Sequence, residues 1–70
     1  MAVIKIIELV GQSRTSWEHA VKAAVREAAK TIRNITGVEV LNLTADVEDD
    51  EIVMYRANVH IAFRVEPEAD

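Results

Sequence analysis

The sequence predicts an α+β fold in which a three-stranded antiparallel sheet wraps around one helix, in the order β-α-β-β. Three observations carry this prediction. Apolar residues recur every three or four positions through one central stretch, as on one face of a helix. Segments rich in β-branched or alternating residues flank that stretch on both sides. The chain has only 70 residues and no cysteine, which leaves room for one core and no disulfide or thiolate zinc scaffold.

The first strand is Val3-Ile4-Lys5-Ile6-Ile7-Glu8-Leu9-Val10, closed by a turn at Gly11. Thr15-Ser16-Trp17-Glu18 then has the form of a capping box, with Ser13 as an alternative cap. The helix is expected from Ser16 to about Ile35. Trp17, Val21, Ala24, Val25, Ala28, Ile32 and Ile35 form its apolar face, and Lys22, Arg26, Lys30 and Arg33 lie opposite. Gly37 sits where a C-cap glycine would end it.

The second strand runs from Val38 to Val47. Glu39, Leu41, Leu43, Ala45 and Val47 fall on one face, and Val38, Val40, Asn42, Thr44 and Asp46 on the other. Glu48-Asp49-Asp50-Glu51 reads as a hairpin connection, although it lacks the glycine that tight turns prefer. In the third strand Val53, Tyr55, Ala57, Val59, Ile61, Phe63 and Val65 alternate with Met54, Arg56, Asn58, His60, Ala62 and Arg64. The first strand pairs most simply with the free edge of the third. The expected organisation is one domain over residues 1–66 and an acidic tail over residues 67–70.

Lengths bear on assembly. A strand of about 13 residues extends roughly 43 Å, whereas a helix of about 20 residues covers roughly 30 Å. One helix cannot cover such a sheet, so the overhang must curve or pair with another chain. Oligomerisation is also the usual aid for a small domain without disulfides or metals.

Twelve acids against eight bases give a formal charge of −4, which argues against nucleic acid as the main partner. Lys5 and Glu8 interrupt the one strongly apolar N-terminal run, so neither a signal segment nor a membrane span is expected, and a cytoplasmic protein is the default. No set of acid, base and nucleophile can be assembled, which points away from an enzyme. Ser13 and Ser16 lie in the capping segment, where free helix amides account for their hydroxyls. His19 and His60 lack the partners of a metal site. Asp46, Glu48, Asp49 and Asp50 have the oxygen density calcium needs, without the spacing of an EF-hand loop; the plainer reading is a solvated hairpin tip. On the polar face of the sheet, Asn42, Thr44, Arg56, Asn58, His60 and Arg64 suit either a planar or anionic ligand, or interface pairing of the arginines with carboxylates of a neighbouring chain.

Several strings together resemble the dodecin family: Ile7-Glu8-Leu9-Val10-Gly11 with Ser13, Ser16-Trp17-Glu18 with Ala20-Val21, Thr31 with Arg33-Asn34, Val38-Glu39-Val40, and Phe63-Arg64-Val65-Glu66. The resemblance runs from about Val3 to Glu66. It implies a hollow homododecamer, with helices outside and sheets lining the interior, that stores or sequesters flavins without catalysing a reaction. In flavin-binding members the ring stacks on a tryptophan just after the helix, and a glutamine on the third strand bonds its edge. Here the tryptophan position falls on Gly37 and the glutamine position on Arg56, with Asn42 as the third residue of the implied pocket. Glycine offers no π surface. Both departures resemble the calcium dodecin branch. The expected function is therefore non-enzymatic binding or storage of an anionic or other small ligand, with flavin (FMN or riboflavin) stacking lost or weakened. Calcium binding, flavin binding in an altered pocket and a structural or interaction shell are the alternatives.

Overall fold

The computed structural model describes residues 3–65, so the acidic tail lies outside the described residues. The order is the expected one: β1 (Val3–Ser13), α1 (Trp17–Ala29), β2 (Ile35–Glu48) and β3 (Glu51–Val65). The strands form one antiparallel sheet in the order β1-β3-β2. The first strand thus does pair with the third.

The helix is shorter than its apolar periodicity suggests. Ser16, in extended backbone conformation, is the N-cap, and its hydroxyl accepts the His19 amide at 3.1 Å. The cap therefore lies one residue after Thr15, and His19 takes the place that Glu18 holds in the expected box. Ser13 Oγ also contributes, accepting the Thr15 amide at 2.9 Å. At the other end Lys30 is the C-cap, and Ile32 and Ile35 lie beyond the helix. Asn34, at φ 63°, makes the left-handed step that was expected near Gly37. Its carbonyl accepts the Arg64 amide at 2.9 Å, which ties the connection to β3. Gly37 is a strand residue without positive φ. A β-branched side chain at Asn34 would be strained there: Asn34→Val should cost about 1–2 kcal/mol in chemical denaturation, and Asn34→Gly almost nothing.

The core lies between α1 and the centre of β3. Ala20, Ala24 and Ala28 form one helical stripe, and it packs on Ala57, Val59 and Ile61. Small residues on the helix let the two backbones approach closely. Gly11 extends that approach to β1, where an added Cβ would stand 1.9 Å from the Ala20 carbonyl oxygen.

Three irregularities in the β2–β3 register correct the expected faces of β2. Val38 pairs with Ile61 and Val40 with Val59, while Asn42 pairs with Asn58, so Leu41 is an extra residue in a bulge. One extra residue inverts the phase of a strand. Val38 and Val40 consequently join Leu43 and Ala45 on the helix face, not Asn42, Thr44 and Asp46. The hairpin closes through Asp49 and Asp50, at φ 52° and 65°, a tight two-residue turn made without glycine.

The described chain measures 57 × 20 × 13 Å, and its radius of gyration of 14.7 Å exceeds the roughly 11 Å of a compact chain this long. Helix α1 lies chiefly on β1 and β3 and barely touches β2. Val38, Val40 and Leu43 remain 42–48% exposed as a result. No described helix is long and apolar enough to cross a membrane.

Candidate functional site

The sheet face away from the helix carries the polar residues singled out from the sequence. Antiparallel register sets them in transverse rows: Gln12, Arg56 and Thr44; Val10, Asn58 and Asn42; Glu8, His60 and Glu39; Ile6, Ala62 and Gly37. Asn42 therefore lies one row from Arg56. Gly37 does not. Its partner Ala62 is six residues along β3 from Arg56, or about 20 Å. Within one chain Gly37 and Arg56 are too far apart to hold the same planar ring.

Arg56 is held at both ends of its guanidinium. Nε donates to Gln12 Oε1 at 2.9 Å, and Nη1 donates to Asp46 Oδ1 in a charge-assisted bond. The carboxylate that pairs with it is Asp46 of the same chain, whereas the sequence suggests one from a neighbouring chain. Gln12 was not singled out from the sequence. Its register opposite Arg56 depends on the pairing of strands 44 residues apart. In the next rows, His60 Nδ1 stands 3.7 Å from Glu39 Oε1.

Gly37 faces open space. A Cβ built there would meet nothing within 4 Å. All three aromatic residues are on the other side of the sheet. Tyr55 and Phe63 share the strand phase of buried Ala57, Val59 and Ile61. Trp17 projects from α1, donates Nε1–H to the Thr44 carbonyl at 2.8 Å, and meets Tyr55 edge-on with ring centroids 4.8 Å apart. It pins the helix to the sheet from a half-buried position, a refinement of the core role expected for it.

The acidic residues are spread along the hairpin. Asp46 is engaged by Arg56, Glu48 pairs across from Glu51, and Asp49 and Asp50 form the turn. Among the described residues no three histidine, aspartate or glutamate side chains stand close enough together to hold a metal ion. Ser16 Oγ lies 2.7 Å from His19 Nδ1, a contact the spacing of the two residues on the first helical turn permits. The hydroxyl there caps the helix.

Comparison with known proteins agrees with this architecture. The family model described as Dodecin matches residues 3–66. Calcium dodecin of Mycobacterium tuberculosis is 31% identical over 67 residues, covering 96% of this chain and 94% of that protein. Dodecin of Thermus thermophilus is 33% identical over 64 residues, covering 91% and 93%. The solved structure of dodecin from Streptomyces coelicolor superposes with a TM-score of 0.90 at 27% identity, covering 96% of each chain. With a matching family model over nearly its whole length, two relatives above 30% identity and the same β1-β3-β2 sheet around one helix, the chain belongs to the dodecin family.

Proposed function

We propose that this chain is a non-enzymatic dodecin that assembles as a homododecamer and binds or stores a small ligand, with flavin stacking lost or much weakened. The observation that carries this reading is the face away from the helix. Among the described residues it holds no tryptophan, tyrosine or phenylalanine, and Gly37 leaves open space where the family resemblance implies a stacking tryptophan. The assembly is supported by the sheet margin that the helix leaves uncovered, where Val38, Val40 and Leu43 stay exposed. The small alanine-rich core and the exposed Ile4, Ile6 and Val10 on the face away from the helix support it too. Arg56 serves as a clamp on Asp46 and Gln12, which favours a structural role over recognition of an anionic ligand.

Riboflavin and FMN titrations that follow flavin fluorescence test the reading. Weak or absent quenching up to micromolar protein is expected; strong quenching at submicromolar concentration overturns it.

Calcium binding is the second reading, favoured by the similarity to calcium dodecin and by the acidic hairpin. One chain does not bring three carboxylates together among its described residues, so such a site needs carboxylates from neighbouring subunits. Under this reading added calcium raises the melting temperature of the assembly.

A further inference from the structure

The row of Glu8, His60 and Glu39 crosses all three strands on the face away from the helix, with the imidazole on the central strand and one carboxylate on each side. Local spacing along the chain gives His60 no metal-ligand partner, and strand pairing gives it two. The adjoining rows carry no charge: Val10, Asn58 and Asn42 lie on one flank, Ile6, Ala62 and Gly37 on the other. With the imidazole neutral, the two carboxylates therefore have no base in their own row or in either neighbouring one. Arg56, two rows away, is already engaged by Asp46. Carboxylates placed this way beside an imidazole attract a cation.

His60 Nδ1 stands 3.7 Å from Glu39 Oε1, and both side chains reach the surface. That separation is too long for a hydrogen bond. It suits two atoms that share a metal ion. Zinc bonds to nitrogen and oxygen of about 2.0–2.2 Å put such atoms roughly 3.4 Å apart at the tetrahedral angle, slightly closer than here. Glu8 does not complete the set as it stands, since among the described residues no three such side chains are close enough to hold a metal ion. It is nevertheless exposed, pairs with His60 in register and has no other partner among the described residues. Directly opposed residues have Cβ atoms about 4.5–5.5 Å apart, so rotation of the glutamate side chain is enough to bring its carboxylate to the imidazole. Open space at Gly37, in the next row, leaves room for coordinated water.

We propose that His60, Glu39 and Glu8 form a site for a divalent late transition metal such as zinc. His60 Nδ1 and a Glu39 oxygen are the ligands already side by side, Glu8 closes on the ion as it binds, and water fills the remaining position. An imidazole nitrogen suits zinc, nickel or copper, whereas calcium and magnesium take oxygen ligands. The site is thus distinct from calcium binding through the hairpin carboxylates, and it depends on neither the loss nor the retention of flavin stacking.

Calorimetric titration of the metal-free full chain with zinc, at about pH 7.5 where imidazole is mostly neutral, tests the site. One zinc per chain is expected, with a dissociation constant in the micromolar range. His60→Gln and Glu39→Gln should each weaken binding roughly tenfold or more, and Glu8→Gln by a smaller, measurable factor. His19→Gln, at the only other histidine, should bind like the parent. None of the four positions is buried, so each variant is expected to keep the circular-dichroism signal of the parent. Cobalt, as a spectroscopic probe, should give visible absorption bands with the parent and none with His60→Gln. Parental zinc affinity in His60→Gln, Glu39→Gln or Glu8→Gln overturns this ligand set, as does loss of binding in His19→Gln. A parent that takes up no zinc at about a hundred micromolar overturns the site altogether. An excess of calcium should leave the zinc titration unchanged; displacement of zinc by calcium overturns the imidazole site in favour of one built from carboxylates alone.

Discussion

Gly11→Ala should remove most of the stability of the folded chain. The added Cβ would stand 1.9 Å from the Ala20 carbonyl oxygen, 2.9 Å from its carbon and 3.1 Å from Ala24 Cβ. Two of these are backbone atoms, so no rotamer change relieves the clash, and α1 must lift from β1. Lifting it separates Ala20 and Ala24 from the core they form with Ala57, Val59 and Ile61. Overpacking typically costs about 1–3 kcal/mol even where side chains can yield. At roughly 0.05–0.15 kcal/mol per residue, a chain of this size has only a few times that to lose. A fall in melting temperature of more than about 10 °C, or loss of a cooperative transition, is expected. Gly37→Ala is the matched control, since nothing lies within 4 Å of its added atom, and it should melt with the parent. Equal melting of the two variants would mean that the close approach of helix and first strand is not what Gly11 provides.

The second large effect concerns the ligand. Gly37→Trp should raise flavin affinity, because the side chain enters open space on the face away from the helix without displacing the core. Stacking of a planar ring on an aromatic side chain contributes about 1–3 kcal/mol, or roughly five- to 150-fold in affinity. The readout is quenching of riboflavin fluorescence by the variant against the parent. Unchanged affinity would show that Arg56, locked to Asp46 and Gln12, or another wall of the pocket has also departed from flavin binding.

Element types and their order were legible because each rests on local periodicity. The alternation in β3 and the alanine and valine spacing in α1 are both present in the structure. The helix end was harder. Ile32 and Ile35 continue the helical spacing and still pack on the core, yet they do so from the connection and from β2. The helix ends at Ala29 with Lys30 as a right-handed cap, and the left-handed residue of the connection is Asn34, three positions before the expected glycine. Asn42 and Arg56 were also readable as polar residues on strand faces, whereas Gly37 read as a helix cap and Gln12 gave no signal. Their mutual placement was not readable: Asn42 lies near Arg56 and Gly37 some 20 Å away only through the β2–β3 register.

By itself, the sequence determined the β-α-β-β order, the pairing of the first strand with the third and the family. These follow from spacing within a few residues and from the residue types present. Tertiary structure alone decided three things: the bulge at Leu41 that turns Val38 and Val40 toward the helix, the clamp of Gln12 and Asp46 on Arg56, and the margin of β2 that the helix leaves uncovered. Each depends on strand register or on the seat of the helix. A single inserted residue inverts a strand's faces without altering its composition, and contacts between residues 12 and 56 exist only once the strands have met.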